Sequence, residues 1–277
     1  MPELVPIKRA LISVSDKKDL VPLASVLADF EIEIISTGGT ARALGEAGIP
    51  VRHIEDLTGF PEIMDGRVKT LHPLVHGGLL ARREVRAHAD AMHEHGIPPI
   101  DLVCVNLYPF EQTIGRPGAT IDEAIEQIDI GGPAMIRSAA KNADWVTVLT
   151  DPRQYDRLAG ELRENDGATT HDFRRWTATA AFARTSAYDR AISASLDHST
   201  GRAFPTTLTL DYALCDDLRY GENPHQAAAL YRDPASSGPT VVNAQQIPGK
   251  HLSYNNILHA SAALEVVKFL RRLVPEQ

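Results

Sequence analysis

The stretch ALISVSDKKDLVPLASVLADFEIEIIS, residues 10–36, decides the fold because its hydrophobic pattern changes twice. Residues 10–15 form an apolar run typical of a buried strand, and residues 31–36 predict a second strand. Apolar residues between the two runs recur at helical spacing, at Leu20, Leu23, Leu27 and Phe30. A strand, a helix and a second strand in this order predict a β-α-β unit whose strands are parallel.

The alternation continues outward from this unit as far as residue 150. Further strands are predicted at residues 49–54, 101–110 and 145–150. Helices are predicted at residues 40–48, 121–130 and 131–142, with two more within residues 151–196. Residues 55–80 are predicted to be rich in loops. The whole pattern predicts an α/β fold, a parallel sheet flanked by helices.

A break in composition follows at STGRAFPTT, residues 199–207, and predicts a linker or a domain boundary. The chain is therefore divided into a first domain, residues 1–198, and a second segment, residues 199–277. That second segment has a strand start, several turns and a closing helix at residues 260–273. It is short for an independent domain.

Composition narrows the classes of function. The chain has 277 residues, a formal charge of −8 and a pI near 5.8, which argues against a general nucleic-acid binder. It contains no apolar run long enough to cross a membrane, and its N-terminus does not have the pattern of a signal peptide. The two cysteines predict no disulfide framework, and Cys104 within LVCVNL is expected to be a core residue. A cytoplasmic location is expected.

Two segments that follow predicted strands have the character of phosphate-binding loops. Hydroxyls, glycines and a cation there precede helix N-termini, whose free N–H groups bind anions. The first loop, SVSDK, offers Ser13, Ser15 and Lys17, and the second, STGGT, offers Ser36, Gly38, Gly39 and Thr40. Helix caps use the same residue types, so one loop alone would be weak evidence. Neither loop matches the motifs for nucleoside triphosphates or dinucleotides.

The segment GRVKTLHP, residues 66–73, adds cations. Arg67 could clamp an anion with two hydrogen bonds, and Lys69 could polarise a carbonyl or hold a phosphate. A solvated loop is the plain alternative. The histidines of residues 72–95 show no H-E-x-x-H pattern, so no metal site is predicted.

Two further motifs carry polar groups that could face a cleft. NLYPF places Asn106 and Tyr108 just past a strand, and QIDIGG places Asp129 directly before two glycines. Lys141 comes one helix later. Asp129 could be a helix cap or a base, and Tyr108 could be a core ring or a hydrogen-bond donor. For each residue taken singly, the structural role is favoured.

Together these segments resemble one family. The ordered set SVSDK, STGGTARAL, LTGFPEIMDGRVKTLHPLVHGGLLAR, NLYPF, EQIDIGGPAMIRSAAKN, LRYGENPHQ and LSYNN is similar to the bifunctional purine-biosynthesis enzymes. Those enzymes combine IMP cyclohydrolase with AICAR transformylase. The resemblance covers nearly the whole chain in collinear order, and its motifs are long and specific.

The resemblance implies a fold and two activities. The first 200 residues or so should form a methylglyoxal-synthase-like domain that closes the purine ring, converting FAICAR to IMP with loss of water. The second segment should begin a transformylase domain of cytidine-deaminase-like fold, which in the family formylates AICAR with 10-formyltetrahydrofolate. A segment of the type KH-x-x-P-x-G, expected beyond LSYNN, does not occur in the sequence. We therefore expect transformylase activity to be missing from this chain.

The resemblance also implies roles for particular residues. The catalytic candidates are Lys69, Tyr108, Asp129 and Lys141. The residues expected to bind the nucleotide are Ser13, Ser15, Lys17, Ser36, Gly38, Gly39, Thr40, Arg67, Thr70, Asn106, Ile130 and Gly131. Arg219 and Tyr220 would belong to an incomplete transformylase site. Ring closure requires no metal and no cofactor, and a homodimer is possible.

Three alternatives remain open at this point. Methylglyoxal synthase, a lyase acting on dihydroxyacetone phosphate, would share the STGGT loop. A regulatory domain that binds a phosphate ligand without catalysis would share both phosphate loops. An inactive remnant with an incomplete second domain would expose apolar surface in its closing helix.

Overall fold

A computed structural model describes residues 2–273 apart from 109, 117, 201–203, 205, 235 and 248. The chain separates into two compact units, Met1–Pro205 and Thr206–Gln277. The predicted linker at 199–207 lies partly outside the described residues. The division into residues 1–198 and 199–277 stays a proposal.

The first unit is built on a parallel sheet. Its strands are β1 (Leu4–Pro6), β2 (Arg9–Val14), β3 (Glu33–Ser36), β4 (Arg52–His53), β5 (Leu102–Asn106), β6 (Thr147–Leu149) and β7 (Ala168–Thr170). Five of them form the sheet in the order β4-β3-β2-β5-β6, with parallel pairing throughout. β1 and β7 form a separate antiparallel pair.

Helices cover both faces of this sheet. They are α1 (Leu20–Asp29), α2 (Gly38–Glu46), α3 (Ile54–Thr58), α4 (Pro73–Leu80), α5 (Arg86–Glu94), α6 (Phe110–Ile114), α7 (Ile121–Glu126), α8 (Gly131–Lys141), α9 (Tyr155–Glu164) and α10 (His171–Ser199). Strand side chains alternate between two cores, so Leu11 packs into one and Ile12 into the other. Near-continuous apolar strands are what a sheet buried on both faces requires. The predicted α/β class is confirmed.

Several predicted boundaries differ from the structure. The strand predicted at 49–54 is reduced to Arg52–His53, and the segment 55–80 contains α3 and α4. The helix predicted over 121–130 ends at Glu126, because the phenol of Tyr188 donates to the Gln127 carbonyl (3.0 Å) and accepts from the Asp129 N–H (2.9 Å). Those bonds satisfy backbone groups that a longer helix would otherwise have used.

A buried guanidinium ties α10 to the start of the chain. The Arg174 side chain is fully buried and donates to three backbone carbonyls: Ala143 (3.0 Å), Pro2 (2.7 Å) and Thr169. Each of these carbonyls belongs to a different part of the first unit. Arg174 therefore joins α10, the β1–β7 pair and the loop before β6.

The second unit contains the antiparallel pair β8 (Ala213–Leu218) and β9 (Ala228–Arg232), followed by α11 (Tyr254–Leu273). The structure describes all of α11, and none of its residues is buried. Among all the helices described, none combines the length and apolar character needed to cross a membrane.

Candidate active site

A cleft of about 1060 Å³ lies at the carboxyl ends of the parallel strands. Its walls include the ends of β2 and β5, between which the strand order reverses. Open α/β sheets bind ligands at such a reversal. The cleft brings together most of the residues predicted from sequence: Ser13, Ser15, Lys17, Gly38, Gly39, Thr40, Arg67, Lys69, Thr70, Asn106, Tyr108, Asp129, Ile130 and Gly131.

Two ammonium groups converge on the start of α2. A Cβ added to Gly38 would lie 3.0 Å from the Lys69 Nζ, and one added to Gly39 would lie 3.9 Å from the Lys17 Nζ. Gly38 has φ +42°, which an L side chain rarely adopts. A helix N-terminus carries partial positive charge and unpaired N–H groups. Two cations beside it make a region of positive potential suited to a phosphate.

Hydroxyl groups around this region differ in whether they line the cleft. The Ser13 and Thr37 hydroxyls share a hydrogen bond of 2.9 Å at the cleft wall. The Thr40 hydroxyl donates to the Val14 carbonyl and accepts from its N–H, both at 3.0 Å, which fixes α2 against β2. The buried Ser36 hydroxyl donates to the Ile12 carbonyl at 2.7 Å and does not line the cleft. The expected ligand contact of the Ser36 side chain is thus not supported by this geometry.

The side chain of Asn106 holds the loop between β2 and α1. Its Oδ1 accepts from the N–H groups of Ser15 (2.6 Å) and Asp16 (3.0 Å), and its Nδ2 donates to the Asp16 carbonyl (2.8 Å). Asn106 lines the cleft as predicted, but its polar atoms are engaged with this loop. Its contribution is to fix the backbone beside Lys17.

A short hairpin brings two ion pairs to the cleft. Ile63 and Val68 form an antiparallel bridge, and an ion pair joins Glu62 to Lys69. A second ion pair joins Arg67 to Glu126 at the end of α7. The sequence does not predict Glu62 or Glu126 as site residues. Glu62 lies within a motif that carries the resemblance, but the turn that places it opposite Lys69 gives no periodic signal.

Asp129 lies in the turn between α7 and α8. Burial raises the pKa of its carboxyl group, while hydrogen bonds from the backbone N–H groups of Gly132 and Tyr108 act in the opposite direction. The bond from Gly132 measures 2.8 Å. A carboxylate with a raised pKa at a cleft is a candidate proton acceptor. Asp129 can therefore accept the hydrogen bond of a helix cap and also serve as a base, the two roles that the sequence leaves open.

The backbone of Gly132 approaches this carboxylate very closely. A Cβ at Gly132 would overlap the Asp129 Oδ2 and would lie 3.0 Å from the Leu107 Cδ2. At the neighbouring Gly131, a Cβ would lie 2.7 Å from the Thr70 Oγ1. The Gly-Gly pair therefore allows α8 to start against both side chains.

Lys141 is the catalytic candidate that the structure does not bring to the cleft. It is exposed and is the last residue of α8, whereas Gly131 at the cleft is the first. Ten steps along a helix separate the two by roughly 15 Å. The role implied for Lys141 is not supported by this arrangement.

His72 and Cys104 have structural roles. The His72 Nδ1 accepts from the Leu74 N–H (3.2 Å) as the N-cap of α4, directly before Pro73, so this side chain shapes the loop before the helix. Cys104 is buried as predicted, and burial raises the pKa of its thiol to about 12. Such a thiol is a poor nucleophile. Among the described residues, no three His, Cys, Asp or Glu side chains are grouped to hold a metal ion.

The second unit contains Arg219 and Tyr220. The Arg219 guanidinium lies 4.9 Å from the centre of the Tyr220 ring, and its Nη2 lies 3.3 Å from the phenol oxygen. Hydrogen bonds with Ser253 and then Arg219 lower the pKa of the Tyr220 phenol. The assignment of these residues to a transformylase site stays a prediction.

The parallel sheet and its cleft define the first unit as an MGS-like α/β domain, and the model of the MGS-like domain matches residues 19–134. The model described as the AICARFT/IMPCHase bienzyme matches residues 139–274. The chain belongs to the family of bifunctional purine biosynthesis proteins.

Curated relatives support this membership. The chain is 55% identical over 259 residues to the bifunctional purine biosynthesis protein PurH of Listeria monocytogenes serotype 4b, covering 94% of this chain and 51% of the relative. PurH of Cereibacter sphaeroides is 56% identical over 267 residues, covering 96% of this chain and 50% of the relative. The chain thus spans about half the length of these relatives. A solved structure titled "Crystal structure of ForH" has a TM-score of 0.61 and 41% identity, covering 66% of this chain and 94% of that one.

Proposed function

We propose that the first unit is an IMP cyclohydrolase, which closes the ring of FAICAR to give IMP and water. Membership of the bifunctional family supports this assignment. The observation that carries it is the composition of one cleft. That cleft has a doubly cationic helix N-terminus at Gly38 and Gly39 and a partly buried carboxylate, Asp129, in its wall.

In this proposal the nucleotide phosphate lies at the start of α2. The N–H groups of Gly38 and Gly39 and the ammonium of Lys17 would bind its oxygens. This places the heterocycle toward Thr70, Tyr108 and Asp129, in the rest of the cleft. Lys69 lies between the two regions, since its ammonium is near Gly38 and the next residue, Thr70, is close to Gly131.

Ring closure requires two proton movements. The carboxamide nitrogen forms a bond to the formyl carbon and loses one proton, while the formyl C=O becomes C–OH. The C–O bond then breaks as the formamide nitrogen loses its proton and forms a C=N bond to the same carbon, so the oxygen leaves as water with both protons. The amide nitrogen is a weak nucleophile, so alignment of the two groups matters greatly. We assign Asp129 as the proton acceptor, Tyr108 as a hydrogen-bond donor and Lys69 as the cation that stabilises the developing oxyanion.

Lys17→Ala should chiefly weaken substrate binding. The ammonium is remote from the reacting atoms in this proposal, so its loss should raise the KM for FAICAR by about 10-fold or more and change kcat by less than about threefold. Steady-state rates of IMP formation measure both constants. Lys18→Ala is the matched control, because Lys18 is exposed and does not line the cleft. An unchanged KM in Lys17→Ala would refute the phosphate contact.

Asp129→Asn should separate activity from stability. Because burial raises the folded pKa of Asp129, its ionised form opposes folding at neutral pH. That unfavourable contribution is absent below the unfolded-state pKa and is complete above the raised folded pKa. Asp129→Asn should therefore melt at the wild-type temperature or higher at pH 7, while kcat falls by about 100-fold or more. The wild-type kcat should fall with decreasing pH through a pKa above the ordinary aspartate range. A variant that loses both stability and activity would point to a purely structural carboxylate.

The rival functions are separated by assaying two substrates side by side. The purified protein should convert FAICAR to IMP, seen as a change in ultraviolet absorbance, and should not form methylglyoxal from dihydroxyacetone phosphate. Methylglyoxal formation without IMP would support the lyase. Binding of nucleotide without turnover of either substrate would support a regulatory domain or an inactive remnant.

Other assignments rest on the family alone. The family's transformylase uses 10-formyltetrahydrofolate. For this chain, loss of that activity, a homodimer and a cytoplasmic location stay predictions.

A further inference from the structure

The hairpin that carries Lys69 also carries its counter-ion. Ile63 and Val68 are paired as antiparallel bridge partners, with hydrogen bonds of 3.2 and 3.4 Å between them. In an antiparallel pair, the residue before one partner faces the residue after the other. This register sets Glu62 opposite Lys69.

The contacts agree with that register. The Glu62 Oε2 forms an ion pair with the Lys69 Nζ, and the lysine side chain is only 18% exposed. The other carboxylate oxygen, Oε1, would lie 2.7 Å from a Cβ at Gly66, so the absence of a side chain at Gly66 leaves room for the glutamate in this position. The Glu62 carboxylate thus contacts the ammonium through one oxygen, at a turn where a larger residue than glycine would displace it. The same ammonium lies 3.0 Å from the Cβ position of Gly38.

We infer that Glu62 is a positioning residue: its carboxylate fixes the Lys69 ammonium at the start of α2, at the cost of a negative charge beside the anion-binding region. This inference rests on the proposed cyclohydrolase function. A lysine side chain has four rotatable bonds and is a poor fixed charge unless it is held. A flanking carboxylate supplies the hold, but it repels the nucleotide phosphate.

The two effects of Glu62 act on different kinetic constants, the first on kcat and the second on KM. Glu62→Gln keeps the size of the side chain and removes its charge. Loss of alignment should lower kcat for FAICAR by about 10- to 100-fold. Loss of repulsion should lower KM by roughly two- to fivefold at low salt. Damage to the fold would instead raise KM and lower the melting temperature. Glu62→Asp, which retains the charge, should recover part of kcat.

A second readout does not depend on turnover. In intact protein treated with an amine-acylating reagent, mass spectrometry should show faster labelling of Lys69 in Glu62→Gln, by roughly two- to fivefold, as expected from release of a partly exposed ion pair. The exposed Lys141 is the internal reference, and Glu46→Gln, an exposed residue at the other end of α2, is the control variant.

The outcomes distinguish this inference from the proposed function. If wild-type protein does not convert FAICAR, the proposed function fails, and the labelling still tests the hold on Lys69. Unchanged labelling of Lys69 in Glu62→Gln overturns the inference. An unchanged kcat, or a decrease in kcat accompanied by an increase in KM, also overturns it.

Discussion

Lys69→Ala is expected to lower kcat for FAICAR cyclisation by about 100- to 1000-fold, the range found when one oxyanion donor is removed. Lys69 is the cation that lies between the phosphate region at Gly38 and the turn at Gly131. Its side chain is held at 18% exposure by the ion pair with Glu62, so it acts from a fixed position. The rate of IMP formation under substrate saturation measures the effect.

The loss of activity is informative only if Lys69→Ala remains folded. Lys69 belongs to a surface hairpin and not to either apolar core, so Lys69→Ala should melt close to the wild-type temperature. Lys18→Ala should retain full activity under the same conditions. Near-normal turnover by Lys69→Ala would remove Lys69 from the reaction.

Arg174→Ala is expected to reduce the free energy of unfolding by about 3 kcal/mol or more. The substitution leaves three carbonyls, those of Pro2, Ala143 and Thr169, without their donor and opens a cavity under α10. Buried carbonyls that lose a partner cost more than the net value of the bonds themselves. Urea denaturation followed by circular dichroism measures the change.

Arg175→Ala is the matched control for this variant, because Arg175 is the next residue of α10 and is exposed. It should unfold within about 0.5 kcal/mol of the wild type. If Arg174→Ala unfolded at the same urea concentration as Arg175→Ala, the proposed clamp between α10 and the start of the chain would be wrong.

The sheet was predictable from sequence because its strands are buried on both faces. Residues 102–105 are all apolar and residues 10–14 are apolar except for Ser13, and the helical spacing that follows residue 15 is clear. The C-terminal edge of a parallel sheet then determines where the loops after β2, β3 and β5 meet. That is why the sequence alone suffices to place Lys17, Gly38 and Asn106 in one cleft.

The features that the sequence did not predict are those that depend on tertiary contacts. The pattern of residues 121–130 fits one helix, but Tyr188, some 60 positions away, ends it at Glu126 and leaves Asp129 in a turn. The hydroxyl of Ser36 has the right residue type for a phosphate loop, yet it bonds inward to Ile12. Short antiparallel pairs such as β1 and β7 contain three residues each, too few for a periodic signal.

The hairpin of Glu62 and Lys69 shows the same limit. A residue's type indicates its charge. Its ion-pair partner depends on the geometry of the turn, which the hydrophobic periodicity of the sequence does not predict. The resemblance identified Lys69 but gave no reason to select Glu62. For Lys141 the opposite holds: the resemblance predicted that it belongs to the site, but it lies at the far end of α8 from the cleft.

A crystal structure of the protein with IMP bound would test the central claim most directly, namely that one cleft at the ends of β2 and β5 holds the nucleotide. We expect phosphate oxygens within hydrogen-bond distance of the N–H groups of Gly38 and Gly39 and of the Lys17 ammonium. The purine ring should then lie beside Tyr108 and Asp129. IMP bound outside this cleft, or with its phosphate at Asp129 and its base at α2, would contradict the proposal.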